Sequence, residues 1–338
     1  MKIVQIDPHD DAAFDAWHAA YHAADVFGRE ELASPWTLVE ARAERRAEVG
    51  FRWQASYAGV VDDVVVTAAD IRTPLLENLD LAEVGVHTHP EHRRRGYATA
   101  MLEHLEQVAR ERGRSKLVAE TSYPYDGPAD GVGSPGADFL FARGFDFALG
   151  EVMRIVDLPV DEALLDRLER EAAPYHSAYT LRSFAGPVPD ELAQGFAEVT
   201  AALTTDAPTG DLDIEPDIPN VDSMREAEAI IAAQGRTKYN TVAIDEAGDV
   251  VAYTELAMSG EGSRRVYQWG TLVRRAHRGH RLGLAVKVAN LRFLQGLRPD
   301  AERLVTYNAE VNTHMVAVNQ AMGFRPVERI SMFTKRLS

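Results

Sequence analysis

The sequence predicts an α/β protein made of two similar halves. The chain has 338 residues, which is the length of two ordinary domains. Hydrophobic residues make up 46% and charged residues 26% of it, so there is enough apolar material for two cores. Strand-like and helix-like runs also follow one another twice in the same order. Arg93 and Arg278 are separated by the same number of residues as Thr121 and Thr306, as expected of two repeated halves.

Composition narrows the classes of function. The chain has no cysteine, which excludes disulfides, thiolate metal sites and a cysteine nucleophile. A formal net charge of −16 argues against a nucleic-acid partner. No run of 18 apolar residues is present, so we expect no membrane-spanning helix. The N-terminus alternates apolar and polar residues like a strand and lacks the pattern of an export signal, so we expect a cytoplasmic protein.

The first half is predicted from hydrophobic periodicity and turn residues. Helices are predicted over residues 10–24, 36–49, 97–111 and 137–142. Strands are predicted over residues 1–7, 51–57, 60–71, 79–88 and 115–121, with a final strand pair over 145–156. Residues 123–136 are rich in Gly, Pro and Asp and are predicted to form a loop.

The second half repeats this order after a charged, helical connector at residues 159–178. Strands are predicted over residues 179–184, 238–245, 250–258, 265–273 and 303–307, and helices over 189–204, 221–233, 282–297 and 313–322. Gly323-Phe324 is expected to introduce the last strands, as Gly144-Phe145 does in the first half. The predicted domains are therefore 1–158 and 179–338, joined by 159–178.

Three arginines and a glycine, at residues 93–96, stand where a predicted strand ends and a long helix begins. The first turn of a helix has unpaired backbone N–H groups and the positive end of the helix dipole. Such a turn, in which Gly96 and Ala98 have little or no side chain, is suited to binding a pyrophosphate. The alternative is a solvated basic patch. A weaker copy recurs at residues 277–283.

The order of strand, Arg-x-x-Gly-x-Ala loop, helix and Gly-Phe resembles the GNAT superfamily of acyl-CoA-dependent N-acyltransferases, whose loop is [Gln/Arg]-x-x-Gly-x-[Gly/Ala]. Residues 93–98 fit this pattern fully, whereas residues 278–283 carry Arg281 in place of the first glycine. The resemblance implies two tandem GNAT folds, each a mixed, mostly antiparallel sheet flanked by helices, as in the mycothiol-synthase-like branch.

The resemblance also implies acetyl-CoA or another acyl-CoA as cofactor, with no metal, and the amine of a small molecule as acceptor. The pantetheine would lie beside the backbone of Val86 and Thr88 in the first copy, and of Thr271 and Val273 in the second. Backbone amides at 94–99 and 279–285 would cradle the pyrophosphate. The loop residues concerned are Arg93, Arg94, Arg95, Gly96, Tyr97, Ala98 and Thr99, and then Arg278, Gly279, His280, Arg281, Leu282 and Gly283.

Arg281 leaves two possibilities open. If the family's glycine is needed for close backbone approach, the arginine blocks the cofactor. If only its amide matters, the side chain points outward or adds a charge to the phosphates.

The resemblance also implies roles for asparagines near the end of the second half. Asn308, Asn312 and the neighbouring Met315 would hold the pantetheine amides. The alternative is that Asn308 belongs to a turn and that Asn312 caps a helix. Asn319 stands four residues before Gly323, where many relatives carry a general-acid tyrosine. Protonation of the leaving group is therefore unassigned.

Direct acyl transfer needs a base for the amine and a donor that polarises the thioester carbonyl. A backbone N–H at a strand bulge can be that donor. The candidate catalytic residues are Glu255, acting through water, together with Tyr267 and Asn319. The alternative is that Glu255 and Tyr267 are ordinary strand residues.

Two further clusters are weaker candidates. The acidic loop with Asp206, Asp211, Asp213 and Glu215 either holds an ammonium group or is a solvated loop. The histidines at 87, 89 and 92 lack a carboxylate partner at metal spacing, so no metal site is predicted.

The leading hypothesis is an N-acetyltransferase in which the second copy carries the chemistry and the first either binds cofactor structurally or has a regulatory role. The alternative is a non-catalytic CoA-binding or ligand-sensing protein. We expect a monomer or a homodimer, with no nucleic-acid or membrane partner.

Overall fold

The chain forms two compact units. The structure, a computed structural model, describes residues 1–260 and 262–337. The first unit comprises Met1–Leu149 together with the residues from Ile330 onward, and the second comprises Gly150–Arg329. The predicted limits of 1–158, 159–178 and 179–338 remain a prediction about domains. The compact units differ from them in giving the C-terminal segment to the first unit.

The first unit is a sheet flanked by helices. Its strands are β1 (Lys2–Ile6), β2 (Arg52–Val61), β3 (Val64–Pro74), β4 (Leu81–Thr88) and β5 (Lys116–Pro124), joined by the end of β12 (Arg325–Arg336). They are neighbours in the order β1-β2-β3-β4-β5. Strands β1 to β4 pair antiparallel, and β4 pairs parallel with β5. Its helices are α1 (Asp11–Val26), α2 (Leu38–Arg46), α3 (Tyr97–Glu111) and α4 (Pro135–Ala142).

The second unit repeats the arrangement. Its strands are β6 (Asp146–Asp157), β7 (Thr180–Ala185), β8 (Thr237–Ile244), β9 (Val250–Met258), β10 (Arg265–Val273) and β11 (Arg303–Ala309). They are neighbours in the order β6-β11-β10-β9-β8-β7, with β10 and β11 parallel. Its helices are α5 (Glu162–Ala172), α6 (Asp190–Ala201), α7 (Leu203–Asp206), α8 (Val221–Ala233), α9 (Leu282–Leu297) and α10 (Thr313–Ala321).

Two predicted strand pairs are wrong. Residues 145–156 form the single strand β6, and the residues after Phe324 form the single strand β12. Gly150 lies inside β6 and Pro326 lies inside β12, but neither is accompanied by a second turn residue. A lone glycine or proline does not reverse a chain, so each strand continues.

The core of the first unit includes the apolar face of α3 and a residue from the far end of the chain. Met101 and Leu105 on α3 are fully buried. Phe333 of β12 is also fully buried in this cluster, with its ring 5.3 Å from that of Phe141. The C-terminal segment therefore supplies core material to the first unit.

Helix α9 of the second unit is held on two sides. Val288 and Leu291 belong to the same buried cluster as Leu165 and Leu168 of α5. On another side, Asn290 donates a hydrogen bond to the backbone carbonyl of Tyr239 on β8, at 2.9 Å. This position places the first turn of α9 directly after β10, where the predicted site lies.

Candidate functional site

The two arginine loops share one backbone conformation despite their different sequences. Each has two residues with positive φ, separated by one residue. In the first loop they are Arg94 (φ 63°) and Gly96 (φ 82°), and in the second they are Gly279 (φ 89°) and Arg281 (φ 51°). Each loop therefore has one glycine and one arginine in the left-handed region, in opposite order. An arginine there costs roughly 1–2 kcal/mol.

Each loop presents a row of backbone amides that no backbone carbonyl engages. The first intrahelical donors are Ala100, which bonds to the Gly96 carbonyl at 3.1 Å, and Ala285, which bonds to the Arg281 carbonyl at 3.0 Å. In the described part of the chain, the N–H groups of 94–99 and 279–284 have no backbone acceptor. The predicted cradle at 279–285 is thus one residue too long, because the Ala285 amide belongs to the helix. Six such amides at a helix start suit a bound anion.

The first arginine of each loop braces the strand before it. Arg93 Nε donates to the Thr88 carbonyl at 3.3 Å, and Arg278 Nε donates to the Val273 carbonyl at 3.3 Å. Arg278 also donates to Asp206 at 3.0 Å. These guanidinium groups fix the strand ends, and the amides are left to contact a phosphate.

The side chain of Arg281 points away from the start of α9. It forms an ion pair with Glu171 on α5 and lies 4.8 Å from the ring centre of Tyr175. The neighbouring His280 Nδ1 is 3.1 Å from the Tyr175 carbonyl. Of the two possibilities, the outward orientation is the one observed. The arginine therefore leaves the loop amides open.

Strand β10 contains a bulge that β4 lacks. The register of β10 with β9 shifts between Gln268 and Thr271, whereas β4 keeps an unbroken register with β3. The Gln268 side chain holds the bulge by donating to the Glu255 carbonyl at 2.7 Å and to Thr254 Oγ1 at 3.0 Å. The bulge places irregular backbone beside the cofactor position implied by the resemblance.

Strands β10 and β11 separate just after the bulge begins. Their parallel register runs from Arg265 and Arg303 to Gln268 and Thr306, and β11 continues beyond it. In the first unit, β4 and β5 pair only at 81–83 and 116–118. Both units thus open a gap between parallel strands near the arginine loop.

Two of the predicted pantetheine residues, Thr88 and Thr271, each contact a threonine of the neighbouring strand, at positions that are not equivalent in the two units. Thr88 Oγ1 lies 3.1 Å from Thr67 Oγ1 in the first unit, and Thr271 Oγ1 lies 2.8 Å from Thr254 Oγ1 in the second. Val86 is partly buried and packs against the core of the first unit. These threonine pairs tie each loop-feeding strand to its neighbour.

The asparagines come together at the gap. Asn319 is fully buried, and its Nδ2 donates to Asn308 Oδ1 at 2.6 Å. The Asn319 Oδ1 has no hydrogen-bond partner. Asn312 instead caps α10 by accepting from the Met315 amide at 3.2 Å. The capping alternative therefore holds for Asn312, and the Met315 amide is already engaged.

Glu255 lies buried in an ion pair with Lys238. Beside it, the hydroxyl of Tyr253 lies so close to Gly270 that any side chain there would clash with it. Burial raises the pKa of Tyr253 well above its usual value, and the nearby Glu255 adds to this. Tyr253 therefore stays protonated. Glu255, Lys238 and Tyr253 form a polar group opposite the bulge.

Tyr267 has a different environment. It packs against Met153, Ile155 and Val305, and the guanidinium of Arg236 lies 5.3 Å from its ring centre. These contacts are those of an ordinary partly buried strand residue, and none involves Glu255 or Asn319.

The first unit contains a counterpart of Glu255 that sequence reasoning missed. Asp70 is related to Glu255 by the same spacing that relates Arg93 to Arg278, and it forms an ion pair with Arg45 at 3.4 Å. A Cβ on Gly85 would lie 3.1 Å from both Asp70 Oδ2 and His87 Nε2. Burial acts to raise the pKa of Asp70, but nearby arginines outweigh it and hold that pKa below its usual value. The constant spacing between the halves was the signal that could have identified Asp70.

The acidic loop braces the second arginine loop. Asp206 pairs with Arg275 at 2.6 Å and with Arg278 at 3.0 Å. Its carboxylate is thus already neutralised by two guanidinium groups, so the ammonium-binding interpretation does not hold for this residue.

Within residues 1–260 and 262–337, no three histidine, aspartate or glutamate side chains are placed to share a metal ion. No helix in these ranges combines the length and apolarity needed to cross a membrane.

Comparison with known proteins agrees with this geometry. The model of the acetyltransferase (GNAT) family matches residues 19–131. The solved structure of a tandem GNAT protein from the clavulanic acid biosynthesis pathway is similar over 99% of this chain and 98% of its own, with a TM-score of 0.78 and 26% identity. The chain has the tandem GNAT fold. The predicted fold class is therefore confirmed.

A second tandem-length structure shows the same fold. A GCN5-related N-acetyltransferase from Sphaerobacter thermophilus aligns over 99% of this chain and 95% of its own, with a TM-score of 0.64 and 14% identity. No curated protein matches the chain at a significant level.

Proposed function

We propose that this tandem GNAT protein is an acyl-CoA-dependent N-acyltransferase that transfers an acetyl group from acetyl-CoA to the amine of a small molecule. The observation that carries the proposal is the bulge of β10, between Gln268 and Thr271, which lies between a diverging β11 and a loop of six free amides.

The residues of the second unit suit each requirement of the reaction. The amides of 279–284 suit the pyrophosphate. A backbone N–H at the bulge suits the thioester carbonyl, because a fixed donor stabilises the charge that develops there. Glu255 is a carboxylate that can take the amine proton through water, and Lys238 holds it in place.

The first unit supports a different role. Its loop residues Arg94, Arg95 and Gly96 are exposed and its six amides are free, so this loop suits a cofactor as well. Strand β4, however, has no bulge to polarise a carbonyl. In this proposal the first unit binds acyl-CoA and the second carries out the transfer.

Two measurements test the proposal. Isothermal titration with acetyl-CoA and with CoA is expected to show binding, with two sites if both loops take the cofactor. A thiol-release assay over a panel of small amines is then expected to find an acceptor. Absence of binding would overturn the proposal. Binding without thiol release from any amine would favour the alternative, a CoA-binding or ligand-sensing protein.

A further inference from the structure

Lys287 is an isolated cation inside the second unit. It is 3% exposed, on the second turn of α9. In the described part of the chain it has no ion pair and no hydrogen bond. Its Nζ lies 5.6 Å from the ring centre of Phe324. Burying a charge without a partner is costly, so a lysine in this position requires an explanation.

The fold does not require a lysine here. Lys287 is separated from Leu102 by the same number of residues as Arg278 is from Arg93, so the two positions are equivalent. Leu102 is 2% exposed in the core of the first unit. A leucine thus fills the equivalent place on α3. Of the two equivalent positions, only the one in the second unit has a lysine.

Lys287 is related to the gap between β10 and β11 through α9 and through Phe324. It follows Gly283 by four residues, so it lies one turn further along the same face of α9. The Phe324 backbone N–H donates to the Asn319 carbonyl at 3.0 Å, and Asn319 bonds to Asn308 on β11. The phenylalanine beside the ammonium is thus hydrogen-bonded to the backbone of Asn319, whose side-chain Oδ1 has no hydrogen-bond partner.

We propose that Lys287 is the general acid of the second unit and donates a proton to the sulfur of the departing CoA. This rests on the acyltransferase function proposed above. As the amine nitrogen bonds to the acyl carbon, the carbon–sulfur bond breaks and its electron pair goes to sulfur. The Lys287 ammonium protonates the sulfur to give the free thiol, and the amine proton passes through water to Glu255. Glu255 then releases that proton to solvent, and solvent reprotonates Lys287.

The acidity of Lys287 suits this role. Burial lowers its pKa from 10.5 to about 7. A donor with a pKa near the working pH is charged in about half of the molecules and still gives up its proton readily. The site also lacks the tyrosine that the resemblance led us to expect, since Asn319 occupies that place.

A binding experiment tests the proposal without knowledge of the acceptor. Lys287→Leu reproduces the residue of the first unit, and Lys287→Met is a second variant should leucine pack poorly. Thermal unfolding checks that each is folded. After proton transfer, the neutral Lys287 amine can accept a hydrogen bond from the CoA thiol, whereas acetyl-CoA has no S–H group to donate. We expect the variants to bind CoA about tenfold more weakly, with acetyl-CoA affinity changed less than twofold.

The outcomes separate this proposal from the one on which it rests. If the native protein binds neither ligand, the acyltransferase proposal fails and the role of Lys287 fails with it. If the native protein binds both and the variants lose neither, or lose both equally, the role of Lys287 is overturned while the acyltransferase proposal stands.

A leaving-group experiment provides a readout that a purely structural role would not change. The thiol of 4-nitrothiophenol is acidic and leaves without protonation, whereas the thiol of CoA is not. Lys287→Leu is expected to slow transfer from acetyl-CoA at least tenfold and transfer from the nitrothiophenyl acetate less than twofold. Equal slowing of both donors would contradict the proposal.

Discussion

At the residue scale, the loops show that one backbone conformation can be kept where the sequence differs. Gly96 and Arg281 occupy equivalent left-handed positions, and so do Arg94 and Gly279. Arg281 is stabilised there by Glu171 and Tyr175, which draw its side chain away from the amides. By motif alone, Arg281 departs from the family pattern, but the left-handed backbone conformation that the motif requires at this position is present.

Replacing Arg281 by glycine tests this interpretation. The change relieves backbone strain of roughly 1–2 kcal/mol and removes an exposed ion pair, which solvent screens. We expect the free energy of unfolding to change by no more than about 2 kcal/mol and acetyl-CoA affinity to be retained, as measured by denaturant unfolding and titration. Glu171→Gln is the control that removes only the ion pair. A tenfold loss of affinity in Arg281→Gly alone would mean that the guanidinium contacts the phosphates.

Lys287 makes a separate prediction about stability. Because burial lowers its pKa to about 7, the folded state binds fewer protons than the unfolded state between about pH 7 and the ordinary pKa of lysine. Buried Lys287 therefore lowers the free energy of unfolding most below pH 7, and this destabilisation decreases as the pH rises.

Denaturant unfolding of Lys287→Leu at several pH values measures this effect. The variant is expected to be more stable than the native protein by several kcal/mol at pH 6. That gain should fall by about 1.4 kcal/mol per pH unit from pH 7 to pH 10. A gain that does not vary with pH would show that Lys287 keeps an ordinary pKa.

At the scale of elements, the bulge of β10 distinguishes the two units. Both have a strand, a loop with two left-handed residues and a helix, in the same order. Only β10 shifts register between Gln268 and Thr271, and Gln268 holds that shift in place. The equivalent residue of β4 is Glu83, which is exposed and pairs in regular register.

Gln268→Leu should therefore impair transfer more than folding. It removes two buried hydrogen bonds, at a cost of about 1–3 kcal/mol for the groups left unpaired. We expect kcat to fall at least tenfold with KM for acetyl-CoA changed less than threefold. Glu83→Leu is the matched control and should leave kcat unchanged. An unchanged kcat in Gln268→Leu would show that the bulge does not contribute to the mechanism.

Helices with strong apolar periodicity could be predicted closely from the sequence. Helices α3, α8 and α9 begin and end at the predicted residues because apolar positions recur on one face and turn residues follow. The strand pairs predicted at β6 and β12 are wrong because neither stretch contains two adjacent turn residues that would reverse the chain. Strand ends without a glycine or proline carry only a weak local signal.

The candidate site was only partly predictable. The loops, Asn308 and Asn319 could be located by motif and spacing. Lys287 could not, because a lysine on a helix usually lies in solvent and only tertiary packing buries it. Asp70 was missed because no motif contains it, although the spacing between the two halves relates it to Glu255.

At the scale of the whole molecule, the chain does not divide simply into a first and a second half. Residues from Ile330 onward belong to the first unit, where Phe333 is fully buried. Lys335 also donates to Glu106 on α3 at 2.6 Å. A pairing this distant in sequence leaves no local pattern, so it could not be predicted from periodicity.

Phe333→Ala should destabilise the first unit although it lies close to the end of the sequence. Truncation of a buried phenylalanine costs about 3–5 kcal/mol. Hydrogen exchange is expected to accelerate in α3 and β5, where this core packs. Exposed Leu297 gives a control, since Leu297→Ala should change exchange little. Unchanged exchange in α3 would contradict the assignment of the C-terminal segment to this core.

The assignment of acyl transfer to the second unit can be tested by disabling one loop at a time. Arg95 and His280 are exposed and lie at equivalent positions of the two loops, so a glutamate at either site repels phosphates at one loop only. The decisive measurement is the rate of acetyl-CoA-dependent thiol release with an accepted amine in Arg95→Glu and in His280→Glu. We predict at least a tenfold loss in His280→Glu and a change of less than threefold in Arg95→Glu. Loss in Arg95→Glu with full activity in His280→Glu would contradict the assignment.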